Sequence, residues 1–129
     1  MGRDDEKDAL KNVEPLLTGL GSDDTTPSVE YLFQTDHIAF DVQGVPTLVL
    51  WTELDKYLKL HHKASDTFDA VNQADLNQGA ATTVATAYAI ADSTLAFAPH
   101  QTPAQVEEWL KKTMQWDDYK FFKSKNVLP

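Results

Sequence analysis

The chain has 129 residues, 42% hydrophobic and 24% charged, which is the composition of an ordinary globular unit. Folding at that length buries about two thirds of the unfolded surface, so no staple is required. Cysteine is absent, which excludes disulfides, thiolate zinc sites, iron–sulfur clusters and cysteine nucleophiles. Twenty acidic against eleven basic residues give a net charge of -9, and the one basic run, Lys111 to Lys125, is interrupted by Asp117 and Asp118; both points argue against a nucleic-acid partner.

In chain order, Asp4 to Leu20 places Leu10, Val13, Leu16, Leu17 and Leu20 at helical spacing, which predicts an amphipathic helix divided or kinked at Pro15. Asp4 and Asp5 suit the positive end of its dipole. Gly21 to Ser28 reads as a polar loop and Val29 to Phe33 as a short strand. Ile38 to Gln43 predicts a short helix capped by Thr35 or Asp36 and ended by Gly44. Val45 to Trp51 is a continuous β-branched and aliphatic run, the pattern of a strand covered on both faces. It contains Pro46 and is far shorter than the ~20 residues of a membrane span, so no membrane span is expected.

Thr52 to Val71 has no sustained period and holds His61 and His62. Asn72 then caps a long helix to about Thr94, whose small residues Gly79 to Thr83 permit close packing. Thr102-Pro103-Ala104-Gln105 is a capping box opening a last helix with Val106, Trp109, Leu110 and Met114 as its buried stripe. Residues 4–95 are expected to be the core of a single domain and 96–129 a helical extension. The pattern predicts an α/β fold, a partial three-layer sandwich with few strands and helices packed on the sheet. Two strands make a poor sheet, so either further strands lie in this chain or the sheet continues in sequence outside it, and an exposed sheet edge left by missing strands offers a route to a homo-oligomer.

The residues suited to chemistry are few. His62 and Asp66 are four apart, a spacing that suits a metal ligand and a supporting carboxylate, while a His-His doublet beside lysines equally suits a solvated loop. Asp36 and His37 suit an oriented base, or an N-cap and its neighbour. Glu107 and Glu108 are explained by ion pairs to Lys111 and Lys112 four residues on. Neither a Gly-x-Ser-x-Gly elbow nor a glycine-rich phosphate loop is present.

Two segments together carry a resemblance. Thr35-Asp36-His37-Ile38-Ala39-Phe40-Asp41-Val42-Gln43-Gly44-Val45-Pro46 resembles the Ser/Thr-Asp-His-x-Pro-Phe-x-x-x-Gly-Val-Pro segment of the zinc-dependent exopeptidases that include bacterial aminopeptidases and plasma glutamate carboxypeptidase. His61-His62-Lys63-Ala64-Ser65-Asp66-Thr67 resembles their His-x-x-x-Asp-Thr segment, and Asp75-Leu76-Asn77 opens what matches their final long helix. Ala39 stands where the family usually has proline. The resemblance covers most of Asp4 to Thr94.

It implies a metallopeptidase with two zinc ions, in which His62 is the last ligand and His61 helps to stabilise the tetrahedral intermediate. Asp66 supports the loop or the ligand, and Asp36 and His37 border the peptide-substrate site, the imidazole donating to the scissile carbonyl or the substrate terminus. The family's other ligands and its general base precede the Asp-His segment, and the residues before Asp36 match none of them. The resemblance therefore implies the C-terminal part of such a domain, inactive without its N-terminal part, because a single histidine cannot supply dinuclear water activation. A non-catalytic assembly module of the same fold and a cyclotransferase acting on N-terminal glutamine are the alternatives. The family is commonly periplasmic or secreted; the acidic opening Gly2 to Asp8 is unlike a signal peptide, so any export signal is expected upstream.

Overall fold

In the computed structural model, which describes residues 2–22, 28–29, 32–52, 54–94 and 96–129, every regular element is helical. The helices are α1 (Asp4–Leu10), α2 (Glu14–Leu17), α3 (Ile38–Asp41), α4 (Leu54–Leu60), α5 (Gln73–Asp92), α6 (Pro103–Lys112) and α7 (Trp116–Ser124). Single 3-10 turns lie at Thr18–Leu20, Leu32–Gln34 and Phe68–Ala70. No helix of the described residues is long and apolar enough to cross a membrane.

The expected α/β sandwich is therefore corrected: no strand forms among the described residues. Val45 to Trp51 runs without regular structure, and the physical reason lies in its partners. A strand is stable only when a neighbour takes up its backbone groups. The other expected strand, Val29 to Phe33, has its end in the 3-10 turn Leu32–Gln34, and Glu30 and Tyr31 lie outside the described residues. The Thr47 N–H is satisfied by the Glu6 carboxylate at 3.1 Å instead of by a strand. With no sheet among the described residues there is no sheet edge there, so the expected route to a homo-oligomer through one is withdrawn. Most of the polar loop, residues 23–27, also lies outside the described residues.

Local chemistry explains where the helices start and stop. Pro15 sits in the first turn of α2, where its missing N–H costs nothing, and the chain breaks between α1 and α2. Asn72 Oδ1 accepts from the Ala74 and Asp75 amides at 2.8 and 3.1 Å, capping α5 as the sequence predicts. The capping box at α6 forms with both arms present. Helix α3 starts differently: no side chain caps it, and the Thr35 hydroxyl meets the His37 ring instead. Gly44 ends that segment at φ 82°. Met114 does not join the α6 stripe, because the helix has ended at Lys112 and Met114 takes a left-handed conformation with its side chain in solvent.

Two apolar clusters hold the chain together. The larger joins Leu32, Ile38 and Val42 to Val106, Trp109 and Leu110 of α6 and to Leu128, so the C-terminal helices supply much of the main core. The smaller is built from Leu10, Val13 and Leu17, with Leu48, Ala85 and Ala89 against it. Helix α5 touches this second cluster along one narrow line. Thr82 is its one buried residue and meets the Ser22 hydroxyl at 3.1 Å, while Leu76, Val84 and Tyr88 face solvent.

Candidate functional site

The first motif places His37 at the start of α3, half-buried, between two partners. Its Nδ1 lies 2.6 Å from Thr35 Oγ1, and its Nε2 is 3.6 Å from Asp41 Oδ2 one turn on. Burial lowers the imidazole pKa below its ordinary value, the more so for the nearby amino-terminal charge, while Asp41 and Asp36 pull it back up. Both ring nitrogens thus face protein groups, so donation to a substrate carbonyl requires the ring to turn. Asp36 beside it is exposed.

The second motif lies just past α4. Tyr57, His61 and His62 form a short stack, with ring centroids 4.5 Å apart for the first pair and 3.7 Å for the second. The Lys63 ammonium donates to the carbonyls of Leu58 and Lys59 at 3.1 and 2.8 Å, neutralising the negative end of α4. His62 has φ 58°, the left-handed conformation that commonly follows a helix and that costs a side-chain-bearing residue about 1–2 kcal/mol. That turn carries the His62 ring into solvent, with His61 half-buried beside it. Asp66 is exposed further along the loop, its backbone amide bonded to Lys63 O at 3.0 Å.

The structure therefore groups His61 with His62, and His37 with Asp41, but it does not unite them. Among the described residues no three His, Asp or Glu side chains are arranged to hold a metal ion. The zinc that the resemblance implies finds one candidate ligand, His62, and no complete site in these residues. His100, the fourth histidine, is exposed. Glu107 meets Lys111 at 2.5 Å as its spacing predicts, whereas Lys112 pairs at 3.6 Å with Asp4 of α1 rather than with Glu108.

Sequence reasoning missed the most unusual group in the molecule. Glu6 is fully buried and Arg3 and Asp41 nearly so. Arg3 grips Asp5 through Nε and Nη2 at 3.0 and 2.6 Å, and donates from Nη2 to Pro99 O at 2.7 Å. Thr47 bridges the two buried carboxyls: its N–H donates to Glu6 Oε1, and its hydroxyl to Asp41 Oδ1 at 2.8 Å. The signal was present in the register. Glu6, Leu10, Val13 and Leu17 fall on one helical stripe, and Asp41 lies between Ile38 and Val42 in another.

No family model, characterised protein or solved structure matches the chain.

Proposed function

We propose that this chain is a portion of a zinc-dependent exopeptidase, bringing His62 as a single metal ligand and Asp36 and His37 as the border of the peptide site, and that it hydrolyses nothing by itself. The observation that carries this reading is the order of two motifs, Thr35 to Pro46 and His61 to Thr67, with the apolar run between them. The exposure of the His62 ring supports it, since a ligand completed by other residues must be reachable from outside. So does the surface between and beyond the motifs, where large apolar side chains meet water from Leu50 and Trp51 through Phe68, at 87% exposure, to Tyr88. Exposed apolar side chains in that number suit a face that another protein part covers.

A second reading is favoured by that same face: a non-catalytic module that associates through α4 and α5 and keeps its histidines without using them. One set of experiments separates the two. Zinc titration of the isolated chain should show weak binding that His62→Ala abolishes, with no hydrolysis of aminoacyl or glutaminyl peptides. The product of the reading frame extended upstream should hydrolyse peptides and lose that activity with His62→Ala. Tight zinc binding by the isolated chain that survives His62→Ala, or an extended protein indifferent to it, refutes the peptidase reading and leaves the assembly module. Cyclisation of glutaminyl peptides in place of hydrolysis points to the cyclotransferase.

A further inference from the structure

The buried group joining α1 to the turn after α3 is not explained by packing. Ionised carboxylates are kept in a low-dielectric interior only when charge and hydrogen bonds compensate them. Here the compensation is short. The single buried cation among the described residues, Arg3, is committed to Asp5 and to the Pro99 carbonyl, and its Nη1 stands 3.8 Å from Glu6 Oε1. Thr47 satisfies one oxygen on each buried carboxyl, and the other two, Glu6 Oε2 and Asp41 Oδ2, have no hydrogen-bond partner among the described residues. The nearest imidazole, His37, stands 3.6 Å from Asp41 Oδ2, and its own burial disfavours its charged form.

We propose that Glu6 and Asp41 act as one proton-holding latch: a proton retained on the pair fastens α1 to the Asp41–Thr47 turn, and its loss frees the helix. The inference rests on the geometry around Thr47 and is independent of the zinc reading.

Among the described residues the charged and titratable groups that act on the pair are Arg3 at the start of α1 and His37 at the start of α3; Asp5 is held by Arg3, and Asp36 acts on His37. Burial raises Glu6 above its ordinary range, with Asp41 adding to the rise, against the lowering effect of the Thr47 amide, Arg3 and the amino terminus. Burial raises Asp41 in the same way, opposed first by the Thr47 hydroxyl. The folded chain therefore binds protons that the unfolded chain has released. The stabilisation is complete below the ordinary carboxylate range and is lost as pH rises through the raised folded values. His37 has the opposite sign. Its folded pKa is lowered, so its contribution is present above its ordinary value of 6.5 and is lost as pH falls through the folded one.

The test compares thermal unfolding of the whole chain with that of Glu6→Gln from about pH 4 to about pH 8.5, which cancels the His37 contribution. A glutamine keeps the oxygen that accepts from Thr47 and needs no proton. The latch predicts equal midpoints at the acid end and a variant more stable than the parent by about 5 °C or more at the alkaline end. A variant less stable at the alkaline end, as expected if Glu6 is an ionised partner of Arg3, overturns the proposal, and so does a difference that does not change with pH. If Glu6→Gln does not fold, the carboxyl-carbon NMR titration of the parent chain decides. Midpoints for Glu6 or Asp41 well above the ordinary range support the latch, and ordinary midpoints for both overturn it.

Discussion

Gly44 joins the first motif to the last third of the chain, and replacing it by alanine tests that joint. Its φ of 82° lies in the region that side-chain-bearing residues rarely adopt. A Cβ built there runs into the Gln101 carbonyl oxygen, with the carbonyl carbon at 2.9 Å and the amide nitrogen at 3.1 Å. These are backbone atoms, so no rotamer change relieves the overlap. Gln101 must move, and the bond from its N–H to Gly44 O, 2.9 Å long, is strained or lost. Left-handed strain of about 1–2 kcal/mol and a hydrogen bond of about 1 kcal/mol put the cost near 3 kcal/mol. For 129 residues the unfolding entropy is about 0.27 kcal/mol/K, so the melting temperature should fall by about 11 °C. Circular dichroism melts of Gly44→Ala beside Gly19→Ala supply the measurement, since nothing lies within 4 Å of a Cβ at Gly19 and that control should melt at or slightly above the parent. A Gly44→Ala midpoint within about 3 °C of the parent refutes the claim that the turn is pinned to Gln101.

The helices give further expectations. Gly79→Ala should raise the midpoint by about 2–4 °C, because its Cβ meets only Leu50 Cδ2, at an ordinary 3.5 Å, and helix propensity gains up to about 1 kcal/mol. Thr102→Ala removes the capping-box acceptor of the Gln105 amide and should lower it by about 4 °C, with early loss of amide protection in the first turn of α6. Leu110→Ala empties the most completely buried position of the main core, where no surface is exposed, and should cost about 2–5 kcal/mol by chemical denaturation.

What was legible in the sequence was what the chain decides locally. Asn72 and the Thr102–Gln105 box mark helix boundaries through hydrogen bonds made within a few residues, Pro15 does so by lacking an N–H to give, and α2, α5 and α6 begin where those residues say. The apolar run Val45 to Trp51 was a different kind of signal. Its composition says that it is to be covered, but whether it becomes a strand depends on a partner, and composition cannot show that the partner donor at Thr47 is occupied by Glu6. Met114 failed for a related reason, being in register with a helix that had already ended. For the candidate site, spacing identified the histidines and could not reveal that the His37 ring points toward Asp41 while the His62 ring points to water. Glu6 was overlooked because an acid in a first turn has a ready explanation in the helix dipole, and only its place on the Leu10 stripe argued otherwise.

The contact between Glu6 and Thr47 has a consequence for solubility. Val45 to Trp51 is short, strongly β-prone and free of charge, the kind of segment that stacks into cross-β assemblies when its backbone is open. Pro46 offers no amide for such pairing, and the next amide, Thr47, is held by a carboxylate that reaches over from α1. Two adjacent positions at the head of the segment are thereby closed to an incoming chain. Conditions or truncations that detach α1 reopen one of them, so aggregation of this protein should follow the undocking of its first helix rather than complete unfolding.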